Sequence, residues 1–445
     1  MNAEEFSRSF VDAGSESEQD RPAWLRQLQR RAVARFRAVG FPAGNEEEWL
    51  GTSLDTLRAT AFQLAHPALQ STDEVDRTTA PSVGLQNASV CAILVNGHLH
   101  ASLGWTAPHP GVFVEGLRDA LENHRPWLEP YLARVAQARQ SAFTALNTGV
   151  FDDVMVIHVA PGVVLKRPIV LQHIALAHEQ PQIVTPRVLV VMGGGSEASL
   201  VEVSTGAGNA ASFVNVVHEL VVADDARLSH VRLQREPASG FHIGSLHAHV
   251  GARATLHASL LLLEGGMTRD EVKAELTGEG ATVRLDALYV PVGRHHVDLR
   301  TTVEHAAPHT ISRQLYKGVL QDQSRGLFTG RVLVRQRAQK TDAHQANHNL
   351  LLSGHALADS KPQLEIYADD VKCRHGATTG RLDESAVFYL RTRGLTEEQS
   401  RGLLTLAFAR EVLDRLPVPL ARDIVSRELA QRWPGSREAL EPSPC

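Results

Sequence analysis

The chain has 445 residues, of which 43% are hydrophobic and 21% are charged, a composition typical of globular proteins that bury a core. A formal net charge of −5 argues against binding to a nucleic-acid backbone, and no apolar run reaches the roughly 18 residues of a membrane-spanning helix. The three cysteines, Cys91, Cys373 and Cys445, lie far apart, which argues against a disulfide framework and favours a reducing compartment. We therefore expect a cytoplasmic protein without a membrane or nucleic-acid partner.

The N-terminal third predicts a mainly helical module. Residues 1–20 are polar and acidic and predict a disordered leader. Apolar residues recur at helical spacing over 22–40, and residues 112–146 indicate helix again. Between these stretches, residues 87–104 alternate and favour a hairpin with Asn96-Gly97 as its turn.

From about residue 151 to residue 380 the sequence predicts short strands and almost no helix. Small polar turns recur about every 27–33 residues, for example GGSE at 194–197, ADDA at 223–226 and GARA at 251–254. A fixed period of strand–turn–strand units favours a solenoid in which each unit pairs with the next. We predict a β-helix, and a large antiparallel sandwich is the alternative.

Helical patterns return after residue 380. Thr396 and Gln399 are placed as the capping box of one amphipathic helix, and residues 418–433 predict another. Such helices would either cover the last coil of the solenoid or dock a partner. The predicted divisions are a leader (1–20), a mainly helical N-terminal domain (21–150), a β-helix core (151–380), a C-terminal helical domain (381–435) and a tail (436–445).

One short stretch places a thiol and an imidazole on alternate positions. If residues 371–376 are extended, Cys373 and His375 project from the same face of the strand, about 6–7 Å apart at Cα. Such a pair suits a soft metal or the edge of a cluster, and the neighbouring cations Lys372 and Arg374 should favour the thiolate. Two ligands do not complete a tetrahedral site. The others must come from elsewhere in the chain or, as we favour, from a second chain.

Other motifs give no sign of catalysis. The glycines at 193–195 follow a strand, but no Walker lysine and no G-x-G-x-x-G pattern accompanies them, so we expect a solenoid turn and no nucleotide site. His344 and His348 lack an HExxH pattern, and we expect them to be structural. Two alternatives stay open: a β-helix carbohydrate-active enzyme, which predicts clustered carboxylates in a groove, and a His-rich zinc-binding protein.

Three stretches carry a resemblance to a known family: residues 312–413, the NEEEWLGTSL segment at 45–54, and residues 145–169. They resemble the SufB/SufD family of iron–sulfur cluster assembly proteins, and within it the SufD branch. The resemblance implies a right-handed parallel β-helix flanked by N-terminal and C-terminal helical domains. It also implies a heterodimer with the paralogue SufB, the ABC-type ATPase SufC bound to the C-terminal helices, and a possible homodimer of the isolated chain.

The resemblance also assigns a role to the thiol–imidazole pair. The family's C-x-H motif matches Cys373 and His375, which it implies are ligands to a transient iron–sulfur cluster at the interface with SufB, His375 foremost. SufB has an acidic residue after the matching histidine, whereas this chain has Gly376. We therefore expect a non-catalytic scaffold subunit of the complex of SufB, SufC and SufD.

Overall fold

The computed structural model describes residues 21–65, 88–100, 105–106 and 109–433. The predicted leader, the predicted tail and Cys445 lie outside these residues. The α-helices of the described part are α1 Ala23–Val39, α2 Asp55–Ala59, α3 Leu117–Leu128, α4 Ala142–Val150, α5 Glu384–Thr392, α6 Glu397–Leu413 and α7 Pro419–Arg432, and a 3₁₀ helix spans Glu47–Trp49. None of these helices is long and apolar enough to cross a membrane.

The strands of the described part run from the N-terminal module to residue 380. They are β1 Gln63–Leu64, β2 Val90–Val95, β3 His98–Leu99, β4 Trp105–Thr106, β5 Val112–Glu115, β6 Met155–Val159, β7 Ile169–Leu176, β8 Gln182–Val184, β9 Arg187–Met192, β10 Glu197–Ala207, β11 Ser212–Val222, β12 Arg227–Arg235, β13 Phe241–Val250, β14 Thr255–Glu264, β15 Met267–Leu276, β16 Thr282–Tyr289, β17 His296–His305, β18 Ile311–Leu320, β19 Arg325–Val334, β20 Asp342–Leu351, β21 Leu357–Ile366 and β22 Lys372–Gly380.

From β6 onward, the long strands alternate between two parallel sheets. Sheet 1 has the order β21-β19-β17-β15-β13-β11-β9-β6-β5, and sheet 2 has the order β22-β20-β18-β16-β14-β12-β10-β7-β2-β3. Neighbours in one sheet are one coil apart: Ala258 pairs with Leu285, 27 residues on, and Gln314 pairs with Gln345, 31 residues on. Each strand therefore pairs with the next coil in parallel, which confirms the predicted β-helix and overturns the antiparallel sandwich.

The recurring polar turns stack on one another along the solenoid. Each contains one residue with positive φ, such as Asp225 (62°), Arg253 (55°) and Gly280 (72°), which reverses the chain between the sheets. The N–H of Asp225 donates to the carbonyl of Ala252 at 2.8 Å, and the N–H of Arg253 donates to the carbonyl of Glu279 at 2.9 Å. Because each turn is bonded to the next, the turns satisfy part of their own backbone polarity without a covering element.

The N-terminal module packs against the outer face of sheet 1. Phe36, Trp49 and Phe143 form one apolar cluster with Phe213 of β11, and the guanidinium of Arg269 on β15 lies 3.8 Å from the Trp49 ring centroid. The helix predicted at 22–40 and the hairpin at Asn96-Gly97 are confirmed, since α1 ends at Val39 with Gly40 as its C-cap and β2 pairs with β3 in an antiparallel manner.

The continuous helical pattern expected over 112–146 is wrong. The structure has the strand β5, then α3, then turns, then α4. Gly116 ends the strand. Helix α3 is kinked at His124, because the ring of Pro126 would clash with the backbone carbonyl four residues earlier in a regular helix. Apolar spacing alone did not reveal that Val112–Glu115 pairs with β6 as an extension of sheet 1.

The C-terminal helices pack against the outer face of sheet 2. Leu406 and Val412 of α6 and Ile424 of α7 join a buried cluster with outward-facing residues of the strands, among them Val231 and Leu315. The predicted capping box of Thr396 and Gln399 is present. The helices lie along the side of the solenoid, so the alternative that they cover its last coil is wrong.

Candidate functional site

The last coil of the β-helix has a free edge in each sheet. β21 pairs only with β19 and β22 pairs only with β20 among the described strands. Unlike the mostly buried strands of the earlier coils, β22 is exposed along almost its whole length. The large exposed apolar side chains of this region are Leu357, Ile366, Tyr367, Phe388 and Tyr389, and Phe388 is 67% exposed. We call β21, β22 and these side chains the open end.

The structure places Cys373 and His375 side by side at the open end. β22 follows β20 without a register shift, and Cys373 pairs with Ala343 and His375 with Gln345. Ala343 and Gln345 are fully buried inside the solenoid. Since alternate strand residues share a face, Cys373 and His375 extend this inward-facing column beyond the last covered coil. His375 is exposed and Cys373 is partly buried.

The local environment of Cys373 favours the thiol. Burial raises the pKa of Cys373 above its ordinary value, the charge of Asp342 adds to the increase, and a backbone hydrogen bond with Ala343 opposes it. The expectation that Lys372 and Arg374 favour the thiolate is wrong, because both point from the other face of the strand. A metal ion must therefore displace a proton from this sulfur.

His344 and His348 lie on the outward face of sheet 2, away from Cys373 and His375. The Nδ1 atom of His348 lies 2.7 Å from the hydroxyl of Thr378. Burial and the charge of Arg374 lower the pKa of His344. The two histidines do not join the thiol–imidazole pair. The glycines at 193–195 form a solenoid turn followed by the strand β10, so this segment lacks the helix N-terminus of a phosphate loop.

A second group of side chains, which the sequence did not reveal, converges inside the solenoid. Glu202 of β10 lies within hydrogen-bond distance of His173 on β7, His218 on β11 and His230 on β12. Burial opposes ionisation of Glu202, but the charge of His218 and the three hydrogen bonds outweigh it and hold the pKa of this carboxyl well below its usual range. The available signal was spacing of about one coil between His173, Glu202 and His230.

Comparisons with known proteins agree on one family. The family profile described as "SUF system FeS cluster assembly, SufBD core domain" matches residues 174–408, and "SufBD protein N-terminal region" matches residues 2–171. The chain is 31% identical to the iron–sulfur cluster assembly protein SufD of Escherichia coli over 89% of this chain and 90% of the relative.

Two further relatives cover similar lengths. An iron–sulfur cluster assembly SufBD family protein of Synechocystis is 31% identical over 86% of this chain and 85% of the relative. The iron–sulfur cluster assembly protein SufD of Bacillus subtilis is 24% identical over 93% of this chain and 94% of the relative.

Proposed function

The chain belongs to the SufBD family of iron–sulfur cluster assembly proteins, and on that premise we propose that it is a non-catalytic scaffold whose open end pairs with a SufB paralogue. One observation carries the proposal: Cys373 and His375 share a face on an uncovered terminal strand. The nascent cluster is cargo, and this chain contributes two of its ligands at the interface between the subunits. The paralogue supplies the remaining donors.

The open end has the chemistry of a protein interface. Edge strands present unpaired N–H and C=O groups that a strand of another chain can accept, and proteins without a partner there usually protect such edges. Exposed aromatic side chains are enriched at the centres of interfaces, and Phe388 and Tyr389 lie exposed on α5, directly after β22. Docking a second β-helix at this place would cover both the strand edges and the aromatic side chains.

The two donors differ in how they would meet the cluster. His375 is exposed and offers an imidazole nitrogen without losing a buried contact. Cys373 packs beside a small apolar cluster that includes Val334, Ala338 and Ala343, so it is held in place but less accessible. We propose His375 as the principal ligand from this chain and Cys373 as the second.

The C-terminal helices are the proposed contact for the ATPase subunit SufC. Lys317 of β18 donates to the carbonyl of Phe408 at 2.9 Å and to Glu411 at 2.6 Å, and Arg235 of β12 bonds Glu428 at 2.6 Å. A force on α6 or α7 is therefore transmitted to sheet 2. β18 pairs with β20, and β20 pairs with β22, so nucleotide-driven motion of the helices would shift the strand that carries Cys373 and His375.

The test compares two substitutions on β22 in the assembled complex. His375→Ala removes the proposed ligand, whereas Arg374→Ala changes the neighbouring residue on the opposite face and serves as the matched control. We expect the first variant to form the complex but to lose most cluster assembly, measured by iron and sulfide content and visible absorbance. Normal assembly by a correctly folded His375→Ala complex would remove this residue from the mechanism.

A further inference from the structure

Four polar side chains meet in the interior of the solenoid, several coils from the open end. His173, Glu202 and His230 come from β7, β10 and β12 of sheet 2, and His218 comes from β11 of sheet 1. We call these residues the internal histidine cluster. Glu202 pairs in register with Leu171 and Arg232, so His173 and His230 are its diagonal neighbours on the two adjacent strands. His218 reaches the same carboxylate across the interior from the facing sheet.

The geometry is convergent. The Nε2 atom of His173 lies 2.7 Å from Oε2 of Glu202, that of His218 lies 3.1 Å from the same oxygen, and that of His230 lies 2.6 Å from Oε1. One ligand atom each of Glu202, His218 and His230 lies within 4.8 Å of the others. Each of the three imidazoles therefore directs its Nε2 atom toward the carboxylate of Glu202.

The cluster is almost inaccessible and incompletely satisfied. His230 is 0% exposed, Glu202 2%, His218 3% and His173 8%. The Nδ1 atoms of all three histidines are buried without a hydrogen-bond partner among the described residues. Ordinary core positions would hold leucine here, as at Leu171 and Leu200, each two residues before a member of the cluster. Burying four polar groups costs stability unless a ligand or a function compensates.

Space and charge beside the cluster suit a cation. A cavity of about 30 Å³, lined by His173, Glu202 and His218 among others, adjoins the cluster and is large enough for a water molecule or an ion. Two carboxylates line this cavity: that of Glu202 and that of Glu236, which lies 2.9 Å from Nδ1 of His242. The guanidinium of Arg232 also lines the cavity, and it is bonded to both oxygens of Asp270. The surroundings therefore carry more negative than positive side chains.

The donor set and its spacing fit a transition metal. A tetrahedral ion with bonds of about 2.0–2.1 Å holds neighbouring ligand atoms about 3.4 Å apart. The present carboxylate–imidazole separations of 2.6–3.1 Å would need to widen by about 0.3–0.8 Å, and the ring of His173 would need to move toward Glu202, His218 and His230, whose ligand atoms are already mutually close. Imidazole nitrogen with one carboxylate oxygen is a set that suits Zn²⁺ and Fe²⁺ rather than Ca²⁺ or Mg²⁺.

We propose that His173, Glu202, His218 and His230 form an internal binding site for one divalent first-row transition-metal ion. The ion would join three successive strands of sheet 2 to the facing strand of sheet 1, locking the first coils of the solenoid together. Six strand spacings separate β10 from β22, about 29 Å at about 4.8 Å each, so this site is distinct from the cluster ligands at the open end. The proposal does not depend on the function proposed above.

The test measures metal binding by the full chain, purified without a polyhistidine tag, stripped with a chelator and dialysed against Zn²⁺ or, anaerobically, Fe²⁺. We expect close to one ion per chain by mass spectrometry of the metal and a raised Tm, because a ligand of the native state stabilises it. The two ions identify which metal the site prefers. X-ray absorption of the loaded Cys373→Ala/His375→Ala protein, which lacks the donors of the open end, should show nitrogen and oxygen neighbours with imidazole scattering and no sulfur.

Substitutions assign the site. Glu202→Gln and His218→Gln should weaken binding at least about 100-fold, since even the loss of a residue that only supports a ligand weakens metal sites about 10–100-fold. His305→Gln is the matched control: His305 is equally buried, but its ring bonds the hydroxyls of Thr310 and Ser312. It should keep the ion, as should the double variant Cys373→Ala/His375→Ala.

Three results would overturn the proposal. The first is a folded wild-type chain that retains neither ion after dialysis, which would make the cluster a hydrogen-bonded core feature only. The second is sulfur in the absorption spectrum. The third is unchanged affinity in folded Glu202→Gln and His218→Gln. If these variants do not fold, the spectrum of the Cys373→Ala/His375→Ala protein decides alone.

Discussion

The two ends of the β-helix are built from the same repeating coil but differ in what covers them. At the first coil, β5 pairs with β6 and β2 pairs with β7, so a strand of the N-terminal module continues each sheet. At the last coil, β22 is largely exposed, every residue of β21 is at least partly exposed, and no described strand pairs with the outer edge of either. The fold can therefore cover a terminal strand, and we interpret the bare strand as a surface kept free for another chain.

Charged groups show the same contrast. Near the first coils, Arg187 and Glu219 form a fully buried ion pair at 2.7 Å. Glu219 also accepts the N–H groups of Ala133, Val135 and Ala136. At the open end, Arg325 and Asp359 lie 2.9 Å apart, and their side chains are 40% and 59% exposed. The buried pair ties the N-terminal module to the solenoid, whereas the exposed pair is free to rearrange with a partner.

The largest expected effect comes from breaking the buried pair. Glu219→Ala leaves the guanidinium of Arg187 buried and uncompensated, which typically costs about 3–5 kcal/mol in the free energy of unfolding. Asp359→Ala, the matched change at the open end, should cost about 1 kcal/mol or less. Chemical denaturation of both variants measures the difference. Equal losses in the free energy of unfolding would mean that the buried and the exposed ion pair stabilise the fold to the same extent.

The next effect concerns the free edge of β22. The N–H of Lys372 donates to the carbonyl of Thr341 at 2.8 Å, toward the neighbouring strand β20. N–H groups along a strand point alternately to its two edges. Because Ala377 lies an odd number of residues after Lys372, its N–H points to the free edge. Ala377→Pro should therefore weaken association with the SufB paralogue about tenfold or more. The readout is the dissociation constant of the pair.

The neighbouring position provides the control. The N–H of Thr378 points toward β20 by the same alternation, so Thr378→Pro should lower the stability of the isolated chain, whereas Ala377→Pro should change it little. An Ala377→Pro chain that is stable and associates normally would show that the free edge of β22 takes no part in the interface.

A smaller effect is expected in thiol reactivity. Because the pKa of Cys373 is raised, its thiolate is scarce at neutral pH, and alkylation should be slower in the folded chain than in the unfolded chain. The difference should shrink as the pH rises through the raised pKa. Burial raises the pKa of Cys91 to about 11, so this thiol should react later still. Mass spectrometry of a Cys445→Ser chain follows both sites. Faster alkylation of Cys373 in the folded chain than in the unfolded chain at neutral pH would contradict a raised pKa of this thiol.

Much of the fold could be predicted because it is periodic. The turns at 194–197, 223–226 and 251–254 repeat the same local conformation, and repetition turns a weak local signal into a strong one. Because alternate residues of a strand share a face, the sequence also predicted Cys373 and His375 on one face of β22. The segment 112–146 failed because its strand is short and gains its partner, β6, only through tertiary pairing.

The environment of the candidate sites was less predictable than their position. Lys372 and Arg374 are adjacent to Cys373 in sequence, yet strand alternation removes them from the thiol, and burial against Ala343 governs its pKa instead. The internal histidine cluster was missed because its members come from four strands and both sheets. The one-coil spacing of His173, Glu202 and His230 was a signal that they lie in one sheet. No spacing indicated that His218 faces them from the other sheet.

The most direct test of the central claim is hydrogen–deuterium exchange of the chain alone and with the SufB paralogue. If the open end is the interface, the backbone amides of Leu357–Ile366 and Lys372–Gly380 that point to the free edges should exchange readily in the isolated chain and become protected in the complex, while the inner strands stay protected in both states. A stable complex in which these two strands remain unprotected, with the protection found elsewhere, would contradict the account.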